Sequence, residues 1–98
     1  MLAYLVIREG TKWTDVFRLT PGRTVTIGRG STNEIVIKDE RCSRNHAEVR
    51  AGPTAYIIVD LGSTNGTMVN GIKITGEQRL RDGDIISFGS THVRFEAS

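Results

Sequence analysis

Within the ten residues Glu40 to Val49, ERCSRNHAEV, the chain places a hydroxyl on Ser43, guanidiniums on Arg41 and Arg44, an imidazole on His46 and its only thiol on Cys42. Such a set could make a nucleophile with its base, a basic patch for nucleic acid, or a receptor for one phosphate. Two other polar stretches, GRGSTNE from Gly28 to Glu34 and LGSTNG from Leu61 to Gly66, offer further hydroxyls, amides and an arginine.

A nucleophilic centre would pair Ser43 with His46 and orient the imidazole through an acid such as Asp60. If the segment runs extended into a strand, the three steps from Ser43 to His46 span about 10 Å, well beyond hydrogen-bond reach. No GxSxG elbow is present, and the second histidine, His92, falls inside a terminal strand pattern. His46 therefore reads as a partly buried imidazole that satisfies backbone groups of the loop before its strand. Two His, one Cys and no acidic cluster beyond RDGD, which is a turn, are too few ligands for a metal. GRGSTNE is neither a dinucleotide fingerprint nor a Walker loop, and no helix signal follows it. Neither metal nor cofactor is expected.

Nucleic acid would need Arg23, Arg29, Arg41 and Arg44 to converge beside exposed rings. The six aromatics mostly occupy apolar strand positions, with only Trp13 and Tyr56 as loose candidates, so no nucleic-acid partner is expected. A phosphorylated side chain, by contrast, carries about 1.5–2 negative charges and three acceptor oxygens, and calls for an Arg fork, hydroxyls and backbone N–H groups. Arg29 offers the fork, Ser43 and Thr64 the hydroxyls, Arg44 a second cation, and Asn65 an amide able to grip a neighbouring peptide backbone. Singly, each has a plainer role: Arg29 a solvated loop charge, Ser43 a turn former, Asn65-Gly66 a positive-φ turn.

These loops must be held by something, and the rest of the chain reads as β-structure. Short β-branched and aromatic runs (AYLVIR, DVFRL, TVTIG, EIVI, HAEVRA, AYIIVD, TMV, IKI, DIISF, HVRFE) alternate with Gly-, Asn- and Asp-rich turns about every ten residues, as in an antiparallel sandwich or barrel. No window shows helical periodicity. In HAEVRA, Ala47, Val49 and Ala51 face the core while His46, Glu48 and Arg50 face water. AYIIVD is apolar almost throughout and is placed centrally, with both faces covered. Asn70-Gly71 predicts a type I′ hairpin between Val69 and Ile72.

With 98 residues, 38% hydrophobic and 24% charged, the chain is one folded domain over residues 1–98. It stops soon after its last strand run, which suggests part of a longer protein. A net charge of +2 is too small to draw polyanions globally, so any anion site must be local. One cysteine fits a reducing compartment, and no leader-like or membrane-spanning run is present, so a cytoplasmic protein without membrane contact is expected.

TIGRGSTNEIVIKDERCSRNHAEV and YIIVDLGSTNGTMVNG together resemble the forkhead-associated (FHA) domain, with its Gly-Arg, Ser-Arg-x-His and Ser/Thr-x-Asn-Gly blocks. The likeness runs from Thr24 to Phe95, including LRDGDIISFG; the first two strands match only in character. It implies an all-β, two-sheet antiparallel β-sandwich of about eleven strands with ligand loops at one end. It also implies a phosphothreonine-peptide-binding module rather than an enzyme, acting downstream of a Ser/Thr protein kinase on a ligand in another protein or in the same chain. Position by position, the resemblance assigns phosphate contacts to Arg29 and Ser43, further phosphate contacts to Arg44 and Thr64, and the ligand backbone to Asn65. Gly28, His46 and Gly66 become architectural, and Arg41 a specificity candidate. Cys42 stands where an aliphatic residue is usual, so it is expected buried and inert; Met68 replaces a common aromatic.

Overall fold

A computed structural model describes residues 2–98, as eleven strands in two sheets. In chain order these are β1 (Ala3–Glu9), β2 (Lys12–Leu19), β3 (Thr24–Gly28), β4 (Ile35–Val36), β5 (Ala47–Ala51), β6 (Tyr56–Asp60), β7 (Met68–Val69), β8 (Ile72–Lys73), β9 (Glu77–Leu80), β10 (Ile85–Phe88) and β11 (Thr91–Ala97). One sheet has the order β2-β1-β11-β10-β7-β8 and the other β4-β3-β5-β6-β9. Among the described residues no helix is long and apolar enough to cross a membrane.

Alternation along the strands builds the core between the sheets. Leu5 and Ile7 of β1, Val93 and Phe95 of β11, and Ile86 and Phe88 of β10 meet Val25 and Ile27 of β3, Val49 of β5 and Ile58 of β6, all buried. The Tyr56 and Phe95 rings, 5.3 Å apart, join the sheets directly. Cys42 is buried in this cluster as expected, and burial, aided by the Asp39 carboxylate, pushes its thiol up to about 11.

The sandwich is antiparallel as expected except at one pair: β3 and β4 run parallel, Ile27 beside Ile35, because the chain loops back between them through residues 29–34. Three readings are corrected. β9, sequence EQRL, escaped notice because three of its four residues are exposed at the sheet edge and only Leu80 points inward. β6 does sit inside its sheet, between β5 and β9, yet only Tyr56 and Ile58 are buried; Ile57 and Val59 are half-buried on a face that no third layer covers. His46 does not share the wet face of Glu48 and Arg50: it precedes β5 and is fully buried.

The loops fall at two ends. Residues 29–34, 37–46, 61–67 and 89–90 gather at one, while the β7–β8 hairpin and the 81–84 turn lie at the other. Asn70 at φ 53° and Gly71 at φ 80° form the expected turn between paired Val69 and Ile72.

Candidate functional site

Buried His46 ties two of the site loops together. Its Nδ1 accepts the backbone N–H of Ser43 at 2.9 Å, which leaves the ring proton on Nε2 to donate to the Gly66 carbonyl at 2.9 Å. The ring packs edge-on against Phe88, with centroids 5.0 Å apart, so a core aromatic sets its tilt. Ser43 and His46 are thus in contact, contrary to the extended geometry expected, because residues 41–46 turn rather than run straight. The contact is through the serine backbone. The Ser43 hydroxyl instead accepts the Thr64 N–H at 3.0 Å, and Asp60 stands 3.9 Å from His46 Nε2, too far for a hydrogen bond. No nucleophile–base–acid relay is assembled.

Arg29 enters from the end of β3. Its backbone N–H donates to the Ser43 carbonyl at 2.9 Å and its Nε to the Cys42 carbonyl at 3.0 Å, which aims the guanidinium across the serine loop. The side chain is exposed, and its two Nη groups have no acidic partner among the described residues. Gly28 allows this approach: a Cβ there would lie 2.0 Å from the Arg44 carbonyl oxygen. That same carbonyl accepts Gly30 N–H at 3.1 Å and Asn33 Nδ2 at 2.6 Å, while the Arg44 side chain points into solvent.

Asn65 donates Nδ2 to the Arg41 carbonyl at 2.9 Å, closing the third side. Gly66 follows, buried and at φ 84°, a backbone conformation that strains any residue with a side chain. Arg29, Ser43, Arg44, Thr64, Asn65 and Arg41 are therefore joined, through backbone or side chain, into one surface drawn from three loops. Arg23, by contrast, pairs with Glu34 at 3.6 Å. Tyr56 is buried, and Trp13 takes its cation contacts from Arg8 and Arg94, at 5.2 and 4.6 Å, not from the loop arginines. Among the described residues the loop arginines Arg23, Arg29, Arg41 and Arg44 make no cation contact with an aromatic ring.

Three supporting roles went unread. Asp39 accepts from Arg41 N–H at 2.9 Å, Ser90 N–H at 3.0 Å, Ser90 Oγ at 2.8 Å and Thr91 Oγ1 at 3.3 Å, pinning the serine loop to the β10–β11 turn. The Arg41 amide first, and the Ser90 hydroxyl next, hold its carboxyl down at about 2 against opposing burial. Asp60 orders the 61–67 loop by accepting Gly62 and Ser63 N–H and the Ser63 and Thr67 hydroxyls. Burial pushes its carboxyl up, but the Ser63 and Thr67 bonds outweigh it and hold the group below the ordinary carboxylate range. Asn33 bridges Gly30 and Arg44. The local halves of these motifs, Asp-x-Arg and Asp-x-Gly-Ser, are readable as Asx turns; the distant halves are not.

The FHA domain family model matches residues 25–89. An FHA domain-containing protein of Arabidopsis thaliana is 38% identical over 88 residues, 87% of this chain. The chain spans only 23% of that protein's length, and smaller shares of two relatives from Mycobacterium tuberculosis. The solved FHA domain of the CT664 protein from Chlamydia trachomatis superposes with TM-score 0.95 at 29% identity, covering 100% of this chain and 99% of its own. A second solved domain, from a structural and functional study of phosphothreonine-dependent FHA domain interactions, gives TM-score 0.90 at 31% identity, with 100% and 98% covered.

Proposed function

Because the chain belongs to the FHA domain family, we propose that it binds phosphothreonine peptides, with Arg29 and Ser43 on the phosphate, Arg44 and Thr64 adding contacts, and Asn65 on the peptide backbone. FHA domains are interaction modules rather than enzymes, and phosphothreonine-dependent binding is on record for one of the structurally similar domains. The observation that carries the reading is the half-used state of the converged groups. Arg29 spends Nε on the Cys42 carbonyl and keeps both Nη groups, Ser43 Oγ accepts from Thr64 N–H and keeps its own proton, and Asn65 spends its amide nitrogen and keeps its oxygen.

The physical roles follow from what remains. The Nη pair suits two phosphate oxygens at once, and the serine proton suits another. Asn65 Oδ1 is an acceptor suited to a ligand N–H, which would fix an extended peptide relative to its phosphate. Arg41, beside Asn65, is a candidate reader of residues after the phosphothreonine. A Ser/Thr protein kinase would write the mark, on another protein or elsewhere in the same polypeptide, and residues 1–98 would serve as one module of a longer protein; Met1 lies outside the described residues. Fluorescence anisotropy with matched phosphothreonine, phosphoserine and unmodified threonine peptides tests the reading: the phosphothreonine peptide should bind tightest and the unmodified one not measurably. Equal binding of all three would sink it.

A further inference from the structure

One more cation reaches the binding end, and no motif block contains it. Lys73 closes β8, opposite Met68, and its side chain runs back past the start of β7 to the loop that carries Asn65. A Cβ added to Gly66 would lie 3.3 Å from Lys73 Cγ, 3.2 Å from Cδ and 2.6 Å from Cε. Cε is the nearest of the three, so the end of the side chain lies over Gly66, and the ammonium is one bond beyond that point. Lys73 as a whole is exposed while Gly66 beneath its stem is buried, the arrangement of a long side chain that covers apolar backbone and keeps its charge in water.

The ammonium has no carboxylate in ion-pair range among the described residues. Glu77 and Asp84 border the same groove, but Asp84 is committed to Asn70 and to the Arg81 N–H. An unpaired positive charge near the residue assigned to the ligand backbone has an obvious complement. We infer that Lys73 is a charge-reading subsite that selects phosphopeptides carrying an Asp or Glu close to the phosphothreonine. This rests on the phosphopeptide reading of the site and adds to it a cation near Gly66, the chain neighbour of Asn65.

The test uses a phosphothreonine peptide of otherwise neutral sequence, with one Glu placed in turn at each flanking position, and follows anisotropy for the wild type, Lys73→Met and Lys73→Glu. Methionine keeps the stem over Gly66 and removes only the charge, so an unchanged melting temperature separates charge reading from a packing role. Glu at one or two positions should tighten binding about threefold, the size of an exposed ion pair, and the gain should shrink at high salt. It should vanish in Lys73→Met, survive in Arg41→Gln, and turn into a preference for Lys at the same position in Lys73→Glu. A Glu gain that persists in Lys73→Met, or no gain at any position, overturns the inference while the neutral phosphopeptide still binds. Failure of the neutral phosphopeptide itself to bind overturns the phosphopeptide reading, and this inference with it.

Discussion

The chain contains two Asn-Gly dipeptides, at residues 65–66 and 70–71, and they have opposite fates. Asn70, at the far end, takes a positive φ and spends both ends of its amide: Nδ2 donates to Asp84 and Oδ1 accepts the Ile85 N–H. Asp84 in turn accepts the Arg81 N–H, so the far turns form a closed set. Asn65, at the binding end, spends only its nitrogen, and Arg29 and Ser43 beside it are likewise half used. Identical residue types serve architecture where both ends of the amide are engaged, and on the proposed function serve recognition where one end is left over. Counting unused valences on ordered side chains therefore separates two ends that look alike in composition.

The contrast is breakable by mutation. The largest effect is expected from Arg29→Ala, which removes both unused Nη groups: affinity for a phosphothreonine peptide should fall at least about 100-fold, given roughly 1.5–3 kcal/mol for each charge-assisted bond. Calorimetric titration checks this, and an affinity within threefold of wild type would remove Arg29 from the site. Next comes the paired exchange of the two asparagines. Asn65→Ala should weaken the peptide about tenfold with little change in melting temperature, whereas Asn70→Ala should cost about 1–2 kcal/mol of stability and leave affinity intact. If both variants lose affinity equally, the distinction between the ends fails.

The smallest effect concerns Asp39, a fully committed group inside the binding end. Its folded-state pKa, about 2, lies below the ordinary value of 3.8, so the unfolded chain takes up the proton first as pH falls. Stability contributed by Asp39 is full above about pH 4 and is lost toward pH 2, and Asp60, also held below the ordinary range, acts in the same direction. Hydrogen exchange should therefore show residues 40–45 losing protection in acid, and Asp39→Asn should flatten that part of the pH profile while lowering stability at neutral pH. An unchanged acid profile in Asp39→Asn would show that its bonds to Ser90 and Arg41 carry no stability.

Much of the fold was legible because strand signals are local. Ten of the eleven strands announced themselves as β-branched or aromatic runs, and the Asn70-Gly71 turn needs only its own φ preferences. β9 hid because an edge strand tolerates EQRL, and the parallel β3–β4 pair hid because two-residue β4 carries no orientation signal of its own. In the candidate site, Arg29, Ser43, Arg44 and Thr64 were readable as residue types suited to phosphate, and Asn65 as one suited to a peptide backbone. Asp39 was not, because its partners Ser90 and Thr91 lie 51 and 52 positions away. Lys73 was missed because its relation to Gly66 exists only once β7 and β8 have paired.

Sequence alone determined the all-β class, the polar loops and the inventory of phosphate-suited groups, since these depend on residue type and on neighbours in the chain. Tertiary structure alone decided which of those groups remain available. Arg29 meets Cys42 across 13 positions, Ser43 meets Thr64 across 21, and Asn65 meets Arg41 across 24. A side chain's unused hydrogen-bonding capacity is what is left after such long-range partners are served, and only the packed sandwich brings those partners within reach.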